Sequence, residues 1–120
     1  HYARGNQPDS PAVQMTVAIT YASNVVGTLL EDGIITSKQD PVEKYVPDMA
    51  GTAFEGVTIE DLIDMSSGIQ WREVLSDLSS EMVRSIVADR KGEYAEFVAQ
   101  LVREHEPGTY HRYATINMHP

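Results

Sequence analysis

Met15-Thr16-Val17-Ala18-Ile19-Thr20-Tyr21-Ala22-Ser23-Asn24-Val25-Val26-Gly27-Thr28-Leu29-Leu30-Glu31 is the stretch on which the fold turns. Apolar residues are abundant through it, while Thr16, Thr20, Ser23, Gly27 and Glu31 recur at spacings of three and four. That period predicts a mostly buried helix with one narrow stripe of small or polar side chains. Asp32-Gly33 stops it. A helix apolar almost all round belongs at the centre of a protein, so the rest of the fold is expected to gather around it.

Outward from this helix the punctuation is clear. Upstream, residues 1–14 hold a short extended piece around Tyr2 to Arg4 and then Gly5, Asn6, Pro8, Asp9, Ser10 and Pro11, which read as an entry strand and loop. Downstream, Asp40-Pro41 opens a short helical turn through Val42 to Tyr45 that Pro47 ends, and a loop follows. Thr58 with Asp61 three residues later forms a capping-box pattern for a helix carrying Ile59, Leu62, Ile63 and Met65, with Ser66-Ser67-Gly68 as its stop. Two amphipathic helices come next: Leu78, Met82, Val83, Ile86 and Val87 line one, and Tyr94, Phe97, Val98, Leu101 and Val102 the other, both stripes read as core. Lys91-Gly92 separates them and Pro107-Gly108 ends the second. The expectation is a mostly α chain forming one helical domain over 1–120, with a helix over 15–31, a helical region over 58–106 and a closing loop over 107–120. No run long enough to build a sheet appears.

Composition narrows the function classes. Eighteen acidic residues against nine basic give a net charge of −9, which repels phosphate backbones and anionic lipid surfaces, so neither nucleic acid nor a membrane surface is an expected partner. No apolar run approaches the roughly 20 residues needed to span a bilayer. The chain has no cysteine, which removes disulfides and thiolate metal sites but is compatible with a cytoplasmic, periplasmic or secreted location. Beginning without Met, the sequence reads as a processed product, an excised piece or an incomplete chain. His105, His111 and His119 have spacings that fit no helical ligand pair, so no metal is expected, and the amphipathic stripes suggest no cofactor.

Several segments in order carry a resemblance. Tyr2-Ala3-Arg4-Gly5-Asn6, Asp9-Ser10-Pro11, the helix end Ser23 to Ile35, Asp40-Pro41-Val42 with Tyr45-Val46-Pro47, Val57-Thr58-Ile59 with Asp61-Leu62, Met65-Ser66-Ser67-Gly68, and Pro107-Gly108-Thr109 with Tyr113 together resemble the serine beta-lactamase and penicillin-binding-protein-like hydrolases. The similarity is greatest to the branch of class C beta-lactamases, family VIII esterases and 6-aminohexanoate-dimer hydrolases. The resemblance implies the all-helical portion of that α+β fold, with the α/β portion missing and a K-T-G-like strand lying beyond Pro120. It also implies acyl transfer from a small amide or ester substrate to a serine and then to water, without a cofactor.

In that family an S-x-x-K motif opens the first helix, Ser taking the acyl group and Lys helping to remove its proton. Counting back from Gly27 puts the Ser position on Thr16 and the Lys position on Ile19. Residues i and i+3 of a helix are neighbours, so a nucleophile and base would touch there, yet an aliphatic Ile side chain cannot accept a proton. Tyr113 matches the family's second motif and Thr115 its third position, where the 6-aminohexanoate branch resembles this chain in having a small hydroxyl residue. Trp71 and Thr115 are candidate substrate contacts.

Plainer readings stand beside these. Thr16 reads rather as a helix-entry hydroxyl that caps or bonds the first turn and Trp71 rather as a core or rim ring, while Tyr113 reads equally as a half-buried aromatic packed against the first helix. The expectation that follows is a beta-lactamase-like hydrolase piece without turnover. The alternative is a noncatalytic binding or assembly module that self-associates through its exposed apolar helix.

Overall fold

The computed structural model describes residues 16–118. The expectations for the entry strand and loop over 1–14, for Met15 and for His119 lie outside them. The described residues form four helices, α1 (Val17–Glu31), α2 (Ile59–Ile63), α3 (Glu81–Lys91) and α4 (Tyr94–Ala99), with short 3-10 turns at Val42–Lys44, Pro47–Met49 and Thr115–Met118. Among the described residues the only extended pairing is two isolated bridges, Pro41 with Thr58 and Ile69 with Arg103. The protein is mostly α.

Local chemistry accounts for most of the element ends. Thr58 accepts from the Asp61 amide while the Asp61 carboxylate accepts from the Thr58 amide, completing the capping box at α2. Ser80 accepts from Val83 N at the start of α3, and Gly92 closes that helix in the left-handed conformation, φ 74°. Arg90 and Lys91 in its last turn and Glu81 in its first complement the helix dipole. The segment after Tyr45, read as loop, carries the Pro47–Met49 turn, because a proline at the first position presets the helical φ.

The core gathers Val42, Phe54, Val57, Ile59, Leu62, Ile69, Trp71, Phe97, Val98 and Ile116, with Val26, Leu29 and Leu30 of α1 laid against its edge. Phe54 and Val57 are fully enclosed. The Arg103 guanidinium stitches this centre by donating to the carbonyls of Ala53 and Glu55, about fifty residues away in sequence.

Three packing expectations are corrected. α1 is not a buried helix: it has no buried residue, and Val17, Tyr21 and Val25 are 51%, 62% and 56% exposed. The described chain covers only one side of it, so the opposite apolar side meets solvent. The α3 stripe is also rotated. Leu78 precedes the Ser80 cap and is 82% exposed, Ile86 and Val87 are exposed, and the buried residues of the helix are Glu81 and Ala88, seven apart on one face. Glu81 tolerates that burial because it accepts from both the Arg72 amide and the Arg72 guanidinium. α4 ends at Ala99, so Val102 falls in the extended segment and is exposed.

Candidate functional site

The turn after α2 positions everything that follows it. Met65 takes a left-handed backbone, φ 55°, and its carbonyl accepts from Arg112 N at 2.9 Å. Gly68 follows at φ 76°, its carbonyl accepting from both Glu104 N and His105 N. A Cβ at this glycine would lie 2.0 Å from the His105 carbonyl oxygen, so no side chain fits. Gly108 N donates to Ser66 O and the His111 ring pairs its Nδ1 with Asp64 O. In this way residues 64–68 hold the segment 104–112 that delivers Tyr113.

Below the turn, Ser67 Oγ donates to Asn117 Oδ1 at 2.7 Å, both residues buried, and Asn117 Nδ2 reaches the Met65 sulfur at 3.7 Å. A buried pair of this kind anchors the Thr115–Met118 turn, since breaking it strands a polar group. Beside it, one carboxylate joins two segments. Glu73 Oε1 accepts from the Trp71 indole Nε1 at 2.8 Å and from the Thr115 backbone N–H at 2.7 Å. Trp71 and Thr115 are thereby brought together. Tyr113, two residues before Thr115, is 42% exposed, and partial burial together with the nearby Glu73 charge pushes its phenol above the usual tyrosine range.

α1 meets this assembly from one side. α1 contacts the Thr115–Met118 turn. Its less exposed positions, Ile19, Ala22, Ser23, Val26, Leu29 and Leu30, define the face turned toward the rest of the chain. Ile19 is therefore half-buried, whereas Thr16 is exposed at the helix entry. The expectation that the Thr16 hydroxyl caps α1 is corrected: Thr16 backbone is helical, φ −62° and ψ −20°, and its side chain makes no capping bond, because the cap geometry requires an extended residue at that point. The helix start is instead held by Ile19 N donating to the Thr16 carbonyl.

The sequence matches a known family. A family model described as Beta-lactamase matches residues 3–119. The chain belongs to the beta-lactamase family. Among curated proteins it is similar to a 6-aminohexanoate-dimer hydrolase from Paenarthrobacter ureafaciens, 34% identical over 82 residues, covering 68% of this chain and 21% of that protein. The chain thus spans about a fifth of the length of that relative.

Of the residues expected at the site, Trp71 and Thr115 share one carboxylate and line one cavity, while Thr16 stands at the entry of α1, Ile19 on α1, and Tyr113 on the segment leading into the Thr115–Met118 turn that α1 contacts. The Trp71 ring is also core, packed edge-on against Phe97 with centroids 6.5 Å apart. Glu73 and the Ser67–Asn117 pair were not legible as site residues. The one available signal was an indole N–H followed two residues later by a carboxylate, since a buried Trp seeks an acceptor. Among the described residues no group of three or more His, Asp or Glu lies close enough to hold a metal, and His105 instead stacks on Tyr110 at 4.4 Å.

Proposed function

We propose that this chain carries the nucleophile-helix and tyrosine-loop portion of a beta-lactamase-like hydrolase acting on small amides or esters, and that it lacks turnover as written. The observation carrying this reading is the pair Thr16 and Ile19, one turn apart at the start of α1, with the half-buried side chain at 19 aliphatic. In an intact site the residue at 16 attacks the carbonyl, the residue at 19 accepts its proton, and the Tyr113 phenol passes a proton to the leaving group. A hydroxyl beside Ile has no base to activate it, and loss of such a unit costs on the order of a million-fold in rate. Short amide oligomers are a substrate class that the 6-aminohexanoate-dimer hydrolase similarity supports, with small esters and beta-lactams beside it.

The test is hydrolysis of a p-nitrophenyl ester and of a chromogenic cephalosporin. No turnover above background is expected from the native sequence. Turnover that disappears in Thr16→Ala would overturn the reading. Thr16→Ser with Ile19→Lys, placed in the full-length protein, is expected to label with a serine-reactive probe.

A second reading rests on a separate observation, the uncovered side of α1. Val17, Tyr21 and Val25 recur every four residues and form an exposed apolar stripe suited to self-association or a partner. Size-exclusion chromatography separates the two: a clean folded monomer removes the assembly module.

A further inference from the structure

Leu78, at 82% the most exposed large apolar side chain among the described residues, stands at the rim of a groove of about 580 Å³ formed with α3 and α4. Val87, Ala88 and Phe97 give that groove its apolar surface, and Arg84 and Glu96 give it charge. The segment carrying Leu78 is fixed by its own hydrogen bonds. Asp77 N donates to Val74 O, Ser80 N to Asp77 O, and Ser80 Oγ closes the same loop onto Val74 O at 2.8 Å. The Asp77 carboxylate accepts from both the amide and the hydroxyl of Ser79, and the Arg72 guanidinium donates to Ser79 O. A knob on so constrained a loop loses little freedom when it is buried by a second surface.

The charges on this face are complementary to each other yet not joined. None of the ion pairs among the described residues uses Arg84 or Glu96. Both side chains are exposed, and the Arg84 guanidinium lies over the Phe97 ring, 5.5 Å from its centroid. One face thus holds a knob, a groove, a cation and an anion. That set is what a two-fold contact between identical chains uses, because residue i of one copy meets residue j of the other and j meets i, so every contact forms twice.

We propose that the groove between α3 and α4 is the contact face of a two-fold dimer, in which Leu78 of each copy packs into the groove of the other and Arg84 of each meets Glu96 of the other. The contact is small, and the net charge of −9 on each chain opposes approach, so the dimer is a weak one. The face shares no residue with the Val17, Tyr21 and Val25 side of α1 and involves no acyl transfer. Its test is therefore separate from the tests of both readings of function.

Sedimentation equilibrium of the chain is expected to show monomer and dimer exchanging with a Kd on the order of 10–100 μM, the range of a small transient contact. Leu78→Ser removes a side chain that the fold leaves exposed, so it is expected to abolish the dimer while the circular dichroism spectrum stays unchanged. Arg84→Glu and Glu96→Arg each set like charges against one another at both contacts, and each is expected to weaken the dimer about tenfold. Mixed in equal amounts, the two variants are expected to recover native affinity, since the reversed charges then face each other at one contact and the unaltered pair at the other. Loss of fold cannot produce that recovery. A chain that stays monomeric up to about 1 mM, a dimer that survives Leu78→Ser, or a mixture no tighter than either variant alone would each overturn the proposal.

Discussion

The backbone N–H of Thr115 donates to Glu73 Oε1 at 2.7 Å, across 42 residues of chain, and the same oxygen holds the Trp71 indole. Removing the carboxylate leaves two donors without an acceptor. Glu73→Ala is therefore expected to destabilise the protein by about 1–3 kcal/mol and to red-shift Trp71 emission, both read in a urea titration. Glu73→Gln keeps an acceptor oxygen and should cost less.

Glu73→Gln also removes a charge beside Tyr113. The Tyr113 phenol is held above its ordinary value by partial burial and then by that charge, so the substitution is expected to lower its midpoint in a 295 nm absorbance titration. The sign for stability follows. A group raised in the folded state favours folding fully below its unfolded pKa, roughly 10, and that contribution is lost as pH rises through the folded value. Stability should fall above pH about 10, and less steeply in Tyr113→Phe.

Gly68→Ala places a Cβ 2.0 Å from the His105 carbonyl at φ 76°. Left-handed strain of about 1–2 kcal/mol and overpacking against backbone of about 1–3 kcal/mol combine, so a loss of about 3 kcal/mol is expected. Gly92→Ala, at φ 74° with open space around it, is the control and should cost about 1–2 kcal/mol, the strain alone. Circular dichroism with urea compares the two midpoints, and equal shifts would rule out the close approach as the cause.

On the acid side, Asp40 is the sensitive carboxylate. Hydrogen bonds from Thr36, Tyr45 and Lys44 hold it well below the usual carboxylate range. A depressed folded pKa contributes stability above the unfolded value, near 4, and that contribution is lost as pH falls through the folded value. Unfolding midpoints should decline as pH drops below about 4, with Asp40→Asn showing a shallower decline. The group is at the surface, so high salt should shrink the difference.

Replacing Val17, Tyr21 and Val25 together by Ser tests the uncovered side of α1. These side chains contribute little to the fold, so thermal stability is expected to change by less than about 1 kcal/mol. Any self-association seen by size-exclusion chromatography should diminish. Persistence of a dimer in the triple variant would place the interface elsewhere.

The elements themselves were readable because their signals are local. Thr58 with Asp61 and Lys91-Gly92 act within a turn of chain, and the structure places boundaries at both, whereas α2 ends at Ile63, short of Met65 and of the Ser66 to Gly68 stop. Which face of a helix is covered is a different matter. α3 has apolar residues at 82, 83, 86 and 87, wide enough to present several faces, and only Arg72 meeting Glu81 settles the phase. α1 was read as buried from a pattern that measures hydrophobicity and not coverage. The candidate site divides in the same way: Thr16, Ile19 and Tyr113 follow from spacing and resemblance, whereas Glu73 and the Ser67–Asn117 pair depend on contacts 42 and 50 residues apart.

An α-helix of 15 residues with no fully buried side chain is held by its own hydrogen bonds and by the part-buried Val26, Leu29 and Leu30 at the core edge, and helices of that length are marginal in water without such packing. α1 is thus expected to open more readily than the enclosed centre of the protein. Its backbone amides should exchange with deuterium through local opening, well before those of the segments around Phe54 and Val57. The helix that carries positions 16 and 19 would then fray in and out of register with the tyrosine loop while the rest of the protein stays folded.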